Sequence, residues 1–339
     1  MANKQTKIKG KGKIAAAIIS GVLGITLIAF VLVLFLTPYP AIWILSGQME
    51  PVKVAPAGFA AMKAKVEVVR NLTYPSSAKN NKADLFLPKD TLTNRPVILW
   101  VHGGAFVAGD KTDVDYFATA LASDGYAVVS INYQLAPSAQ FPTPIKQTGE
   151  AYQWLSSIKD TYSLDLTKIV LAGDSAGAHT VMVFAQAQFD AVYAARIKVA
   201  QVMPPAQIAG LLLYCGPYSI KQTAQMNNAF LSFFLQRAAW AYFGSQNWNA
   251  LDPVVSPVNN VPAGFPPCFV TDGNTGSFEQ QARQLVSALE AKGATCDSFF
   301  IPKVTEKTPH EYQFVMNTPS GIECYLRTLA FLANYLPTT

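Results

Sequence analysis

The chain has 339 residues, 50% hydrophobic and 14% charged, which supports one large domain with a sizeable core and excludes a disordered polyampholyte. Its net charge of +5 is local: Lys4, Lys7, Lys9, Lys11 and Lys13 all precede residue 14, and taking these five from the 26 basic side chains leaves 21, against 21 acidic ones. A neutral remainder gives no basic footprint for nucleic acid, and no internal repeat or zinc-type Cys/His spacing is present.

In chain order, residues 1–13 form a basic tail, and residues 14–36 follow as 23 positions without a charge. At about 1.5 Å per residue that run is long enough to cross a hydrocarbon core of about 30 Å. A cleaved signal peptide is the alternative, but the run exceeds the usual apolar core of about 7–15 residues and no small-residue cleavage site follows. An uncleaved single-pass anchor is expected, with the lysine tail cytoplasmic and the rest of the chain outside the cell membrane. Residues 37–64 then read as an interfacial segment and linker, with Pro38, Tyr39, Pro40 and Trp43 near the outer interface.

From residue 65 to 339 the pattern alternates. Strand-like runs at 66–73, 83–87 and 97–101 precede a helical pattern at 115–123, a strand at 127–132 and a helix at 145–159. A strand at 169–172, a helix at 178–187, strands at 208–214 and 268–271, a helix at 278–291, a strand at 298–301 and a helix at 322–335 complete it. This order predicts an α/β domain with a mainly parallel eight-stranded sheet, right-handed crossovers and a site beyond the strands' carboxyl ends. Two stretches exceed the minimal alternation: residues 179–205, and residues 218–250 with their aromatic runs Phe230-Leu-Ser-Phe-Phe-Leu235 and Trp240-Ala-Tyr-Phe243. The second reads either as extra core or as a helical cap over a pocket.

Between the strand at 169–172 and the next helix lies Gly173-Asp-Ser-Ala-Gly177, a G-x-S-x-G turn. A nucleophilic serine needs such a strained strand-to-helix turn, and small flanking residues allow the bend. Some seventy residues upstream, the buried-strand run at 97–101 ends in His102-Gly103-Gly104-Ala105. The N–H groups of Gly103, Gly104 and Ala176 are candidates to stabilise an oxyanion.

These segments carry a resemblance. Val101-His-Gly-Gly-Ala-Phe-Val-Ala-Gly-Asp-Lys111, Tyr126-Ala-Val-Val-Ser-Ile-Asn-Tyr-Gln-Leu-Ala-Pro137 and Leu171-Ala-Gly-Asp-Ser-Ala-Gly177 resemble the α/β-hydrolase fold, specifically the hormone-sensitive-lipase-like and bacterial feruloyl-esterase-like carboxylesterases. The likeness runs over roughly residues 65–335 and is most specific in its first half. It implies a structural role for His102 and a cap role for an insertion after the sixth strand. Gln134 and Ser138 stand where the family usually has arginine and glutamate, so an ion pair there is absent.

Three histidines are present. With His102 in the glycine motif and His179 one helical turn beyond Ser175, His310 remains as the base, 135 residues after the serine, in the Ser, acid, His order of the fold. The acid departs from the family: after the seventh strand a glycine and two variable residues lead to an aspartate, and here Gly273-Asn274-Thr275 leads to Gly276. Asp272, at the strand's end, is the preferred carboxylate and Glu279, in the first turn of the next helix, the alternative.

The expected chemistry is hydrolysis of small or medium acyl esters through an acyl-enzyme on Ser175, needing neither metal nor organic cofactor. A peptidase or amidase with the same triad, and a non-catalytic binding protein with a decayed one, are the competing readings. Cys215, Cys268, Cys296 and Cys324 all lie in the outward domain, where disulfides are permitted. The placement of Cys215 and Cys268 in or beside apolar runs favours buried free thiols.

Overall fold

Runs of aliphatic residues that are apolar at every position form strands buried on both faces, and these runs build the centre of the molecule. A computed structural model describes residues 2–48, 51–89, 94–226 and 228–338. Eight strands, β1 (Val66–Thr73), β2 (Lys82–Pro88), β3 (Arg95–Val101), β4 (Ala127–Ile131), β5 (Leu164–Asp174), β6 (Ile208–Tyr214), β7 (Cys268–Thr271) and β8 (Cys296–Phe299), make one sheet in the order β1-β2-β4-β3-β5-β6-β7-β8. β2 is antiparallel to both β1 and β4, and every pair from β4 through β8 is parallel.

The twelve helices of the described residues are α1 (Ala2–Leu36), α2 (Tyr39–Leu45), α3 (Phe59–Ala64), α4 (Asp115–Ser123), α5 (Thr143–Tyr162), α6 (Ala176–Phe189), α7 (Ala191–Ile197), α8 (Ile220–Thr223), α9 (Ala229–Phe243), α10 (Asp252–Val255), α11 (Glu279–Ala291) and α12 (Pro319–Tyr335). Side chains alternate across the strands. Val97, Leu99 and Val101 of β3 join Leu171, Val181 and Phe184 in one layer, while Ile98 and Trp100 join Phe117, Phe269 and Phe331 in the other.

β5 begins at Leu164, five residues before the apolar run at 169–172. Leu164 and Asp165 pair with Arg95 and Pro96 of β3, and a register shift separates this stretch from the apolar one. The polar Asp165, Thr167 and Lys168 conceal that extension in the sequence.

The N-terminal segment is tied to the domain at several points. Val54 bridges to Val315, and Lys53 pairs with Asp113 at 3.0 Å. Residues 15–36 of α1 form a 22-residue stretch of mean hydropathy 2.8 that is not buried against the rest of the protein. Its end meets the domain: Arg237 Nε of α9 donates to Leu34 O at 3.1 Å, and Phe35 lies edge-on to Phe233. A guanidinium there satisfies one of the carbonyls that a helix C-terminus leaves open. In α2, Ala41 and Ile42 are buried and Ile42 joins the apolar cluster around α9, whereas Trp43 is 84% exposed.

Gln134 and Ser138 meet through hydrogen bonding instead of an ion pair, Gln134 Nε2 donating to Ser138 O at 3.5 Å and Gln134 Oε1 accepting from Lys79 N. All four cysteines are free thiols, three of them buried and Cys296 partly so.

Candidate active site

The bend at the end of β5 is set by glycine. Ser175 caps the N-terminus of α6 with φ 48° and ψ −118°, a conformation that L-residues avoid. A Cβ on Gly177 would sit 1.9 Å from Val101 O, and one on Gly173 would sit 2.4 Å from Gly177 C. Helix and strand therefore cross at backbone contact, and the serine is pushed out at the sheet's carboxyl edge, 8% exposed. Ala176 opens α6, so its N–H has no intrahelical acceptor.

Asp174 locks the glycine loop to this turn. Its Oδ1 accepts from Trp100 Nε1 at 2.7 Å and its Oδ2 accepts from Gly103 N at 2.7 Å. Gly103 therefore does not present a free N–H to an oxyanion, contrary to expectation: a buried carboxylate on the neighbouring strand has taken it. Ala105, from the same loop, borders the pocket with Ser175. His102 has the structural place expected of it, buried, stacked on Tyr133 at 4.4 Å, with Nδ1 2.8 Å from Gly103 O. The loop's far end is held by Asp84, a fully buried carboxylate paired with Arg70 at 2.6 Å and Lys111 at 3.3 Å.

His310 reaches the serine, with Nε2 3.0 Å from Ser175 Oγ. Desolvation lowers its pKa to about 4, although the side chain keeps 30% exposure and solvent tempers the shift. His179 points elsewhere, with Nε2 2.9 Å from Val255 O. Asp272 is 1% exposed and does not touch the ring directly. Its Oδ1 accepts from Ser277 Oγ and from Phe278 N, and Ser277 Oγ in turn lies 2.7 Å from His310 Nδ1. Burial pushes the Asp272 carboxyl up to about 7. Glu279 instead pairs with Arg283 one turn along α11, at 2.7 Å. The structure thus brings Ser175, His310 and Asp272 to one place and leaves Glu279 on the helix surface.

A second carboxylate approaches from the histidine's own loop. Glu311 Oε1 is 3.9 Å from His310 Nε2, and burial together with the charge of Asp174 holds the Glu311 carboxyl well above its usual range. Burial thus disfavours the charged form of this carboxyl beside the ring.

Cys215 Sγ, a carboxylate oxygen of Asp272 and a ring nitrogen of His310 lie within 4.8 Å of one another. Burial pushes the Cys215 thiol well up, disfavouring the thiolate that a metal ligand needs, and Ser277 engages Asp272 Oδ1 and His310 Nδ1, while Asp272 Oδ2 is buried without a partner. Over the serine lies an apolar pocket walled by Ile220 of α8, by Leu235, Ala238 and Phe243 of α9, and by Phe106 and Phe278.

A family model, BD-FAE, matches residues 83–289, more than half of the chain. The chain belongs to the BD-FAE family. The matched span of this BD-FAE hydrolase holds Gly103, Gly104, Ser175, Asp272 and Ser277 and ends before His310. An acetyl esterase of Salmonella schwarzengrund (strain CVM19633) is 25% identical over 245 residues, covering 69% of this chain and 71% of that enzyme. Lipase 2 of Moraxella sp. (strain TA144) is 38% identical over 95 residues, 28% of this chain and only 22% of the lipase. Among solved structures, esterase B of Lactobacillus rhamnosis superposes with a TM-score of 0.71 at 23% identity, covering 83% of this chain and 87% of that one. The thermophilic carboxylesterase EstE1 from a metagenomic library gives 0.67 at 19%, covering 87% and 98%. The solved structures show that the BD-FAE chain has the α/β-hydrolase fold, and the proteins it is similar to are esterases and a lipase.

Two features of the BD-FAE site escaped the sequence reading. The engagement of Gly103 by Asp174 is foreshadowed only by the acidic residue inside the G-D-S-A-G turn. Ser277, next to Gly276 in the loop after β7, carries no motif of its own.

Proposed function

We propose that this protein is a membrane-anchored serine hydrolase that cleaves small or medium acyl esters with Ser175 as nucleophile, His310 as base and Asp272 as the orienting acid. The observation that carries the reading is the 3.0 Å contact of His310 Nε2 with Ser175 Oγ at a strained turn beneath an apolar pocket. Ser175 Oγ attacks the ester carbonyl as His310 takes its proton, and the tetrahedral intermediate collapses as His310 returns that proton to the leaving alcohol. Water then repeats the sequence on the acyl-enzyme, releasing the acid and the free serine. Gly104 and Ala176, with Ala105 beside them, are the N–H donors we assign to the oxyanion, and loss of one such donor costs about 2.7–4 kcal/mol. None of these steps requires a metal or an organic cofactor.

Residues 15–36 are the proposed anchor, and at about 1.5 Å per residue they extend for roughly 33 Å. The lysine tail before them assigns the N-terminus to the cytoplasm and the domain to the outer side. Two observations support that arrangement: α9, which walls the pocket, touches the end of α1 through Arg237 and Phe233, and Trp43 is exposed just beyond. The cap would then rest at the outer interface.

The test is turnover of p-nitrophenyl acetate and butyrate by the full chain in detergent, beside Ser175→Ala. A loss of at least about 10³-fold in the variant is expected, and equal rates in both proteins would refute the catalytic reading. Fluorophosphonate labelling of Ser175 separates an active hydrolase from a binding protein. Resistance of the chain to alkaline carbonate extraction, and cleavage of the domain by protease added to intact cells, check anchor and orientation.

A further inference from the structure

We infer that Ser277 is a positioning residue that links Asp272 to His310 and fixes the imidazole in the tautomer able to deprotonate Ser175. The inference rests on the triad proposed above. Its basis is the order of four polar groups: Asp272 Oδ1, Ser277 Oγ, His310 Nδ1 across the ring to Nε2, and Ser175 Oγ.

A hydroxyl carries one proton and accepts through its lone pairs. Ser277 can give that proton either to Asp272 Oδ1 or to His310 Nδ1. An ionised carboxylate only accepts, and it is the stronger acceptor, so at pH above about 7, where the buried Asp272 is ionised, the Ser277 proton goes to Asp272. The Ser277 oxygen must then accept from His310, which places the ring proton on Nδ1. Nε2 is left with a lone pair facing Ser175 Oγ at 3.0 Å. In the opposite direction Nε2 would bear the proton and the serine would have no base.

The local backbone explains why a serine stands here. Gly276 has φ +62° with no atom within 4 Å of its Cβ position, an open left-handed turn that ends the loop after β7 and aims Ser277 inward. Phe278 N donates to the same Asp272 Oδ1 at 3.2 Å, and the Phe278 ring meets His310 edge-on at 5.1 Å. Carboxylate, hydroxyl and imidazole are thus fixed by three consecutive residues. The Ser277 hydroxyl thus stands between the carboxylate and the ring and hydrogen-bonds to both.

The test compares full-chain variants on p-nitrophenyl butyrate. Ser277→Ala is expected to lower kcat by about 10²-fold or more with KM within about twofold, because the lost function is base alignment rather than binding. Ser277→Thr keeps the hydroxyl and is expected to recover most of the rate, whereas the isosteric Ser277→Val stays low. That pair decides the matter even if Ser277→Ala fails to fold. In an Asp272→Asn background, Ser277→Ala should add less than about threefold, since residues acting as one unit are not additive. Equal activity of the Thr and Val variants, or independent multiplicative losses at 272 and 277, would overturn the inference. Should wild type hydrolyse the ester and lose activity on Ser175→Ala and His310→Ala while Ser277→Val remains active, only the link through Ser277 is wrong. Should Ser175→Ala leave the rate unchanged, the triad itself is wrong.

Discussion

Replacing Gly177 by alanine separates the packing of the nucleophile turn from its chemistry. The new methyl would lie 1.9 Å from Val101 O, 2.6 Å from Val101 C and 2.7 Å from His102 O, all backbone atoms with no rotamer to escape into. A carbon needs about 3.3 Å from a carbonyl oxygen, so α6 must withdraw from the end of β3 by about 1.4 Å. Overpacking of this kind costs about 1–3 kcal/mol and at times more. The larger effect is on alignment, because β3 leads into the glycine loop and Ser175 caps α6, so withdrawal separates the proposed nucleophile from its proposed oxyanion donors. A misplacement of about 1 Å costs on the order of 10²-fold in rate. The assay is the second-order rate of fluorophosphonate labelling, read beside the thermal midpoint. Gly264→Ala, at φ +70° with open space around it, is the control for backbone strain alone. If Gly177→Ala labels within twofold of wild type at an unchanged midpoint, the claim that backbone contact sets this turn is refuted.

Three further outcomes follow from the same geometry. Glu279→Gln should leave kcat/KM for p-nitrophenyl butyrate within about twofold, since that carboxylate is bound to Arg283 and not to the histidine; a loss of about 10²-fold would return it to the triad. Asp84→Ala should cost about 3–5 kcal/mol in urea unfolding, because it takes from the buried Lys111 its nearer carboxylate, leaving only the half-exposed Asp110 at 3.8 Å, and removes the buried partner of Arg70. His179 is buried with its pKa lowered to about 4, so as a base it contributes stability that is present above about 6.5 and lost as pH falls through about 4. Relative to His179→Gln, wild type should therefore lose on the order of 3 kcal/mol between pH 7 and pH 4; a difference that does not change with pH would contradict this.

What the sequence revealed of this site depended on how locally each element is determined. The apolar runs at 208–214 and 268–271 became β6 and β7 with the expected bounds, because a strand buried on both faces leaves no polar positions to blur its ends. Ser175 and His310 were legible for a related reason: one sits in a turn whose glycines are sterically required, and the other was found by elimination among three histidines. The fate of the Gly103 N–H was not legible, since it depends on the side chain of Asp174 reaching across from β5 to the end of β3. Nor was Ser277, whose significance arises only when a loop after β7 and a loop after β8 come within hydrogen-bond distance. The contact of α1 with α9 joins residues about two hundred positions apart, and no periodicity reports on such a meeting.

The unpaired cysteines carry a practical consequence. Cys268 and Cys296 are register neighbours on β7 and β8, yet burial raises the Cys296 thiol to about 12 and the Cys268 thiol well above its usual value. Cys215 and Cys324 are fully enclosed and shifted in the same direction. Because the thiolate is the reactive form, native protein should consume alkylating reagent only as fast as its strands separate. Cys296, at the sheet's edge, would report the fraying of β8, and the three interior thiols would report the opening of the core, so one chain holds a graded clock for its own unfolding.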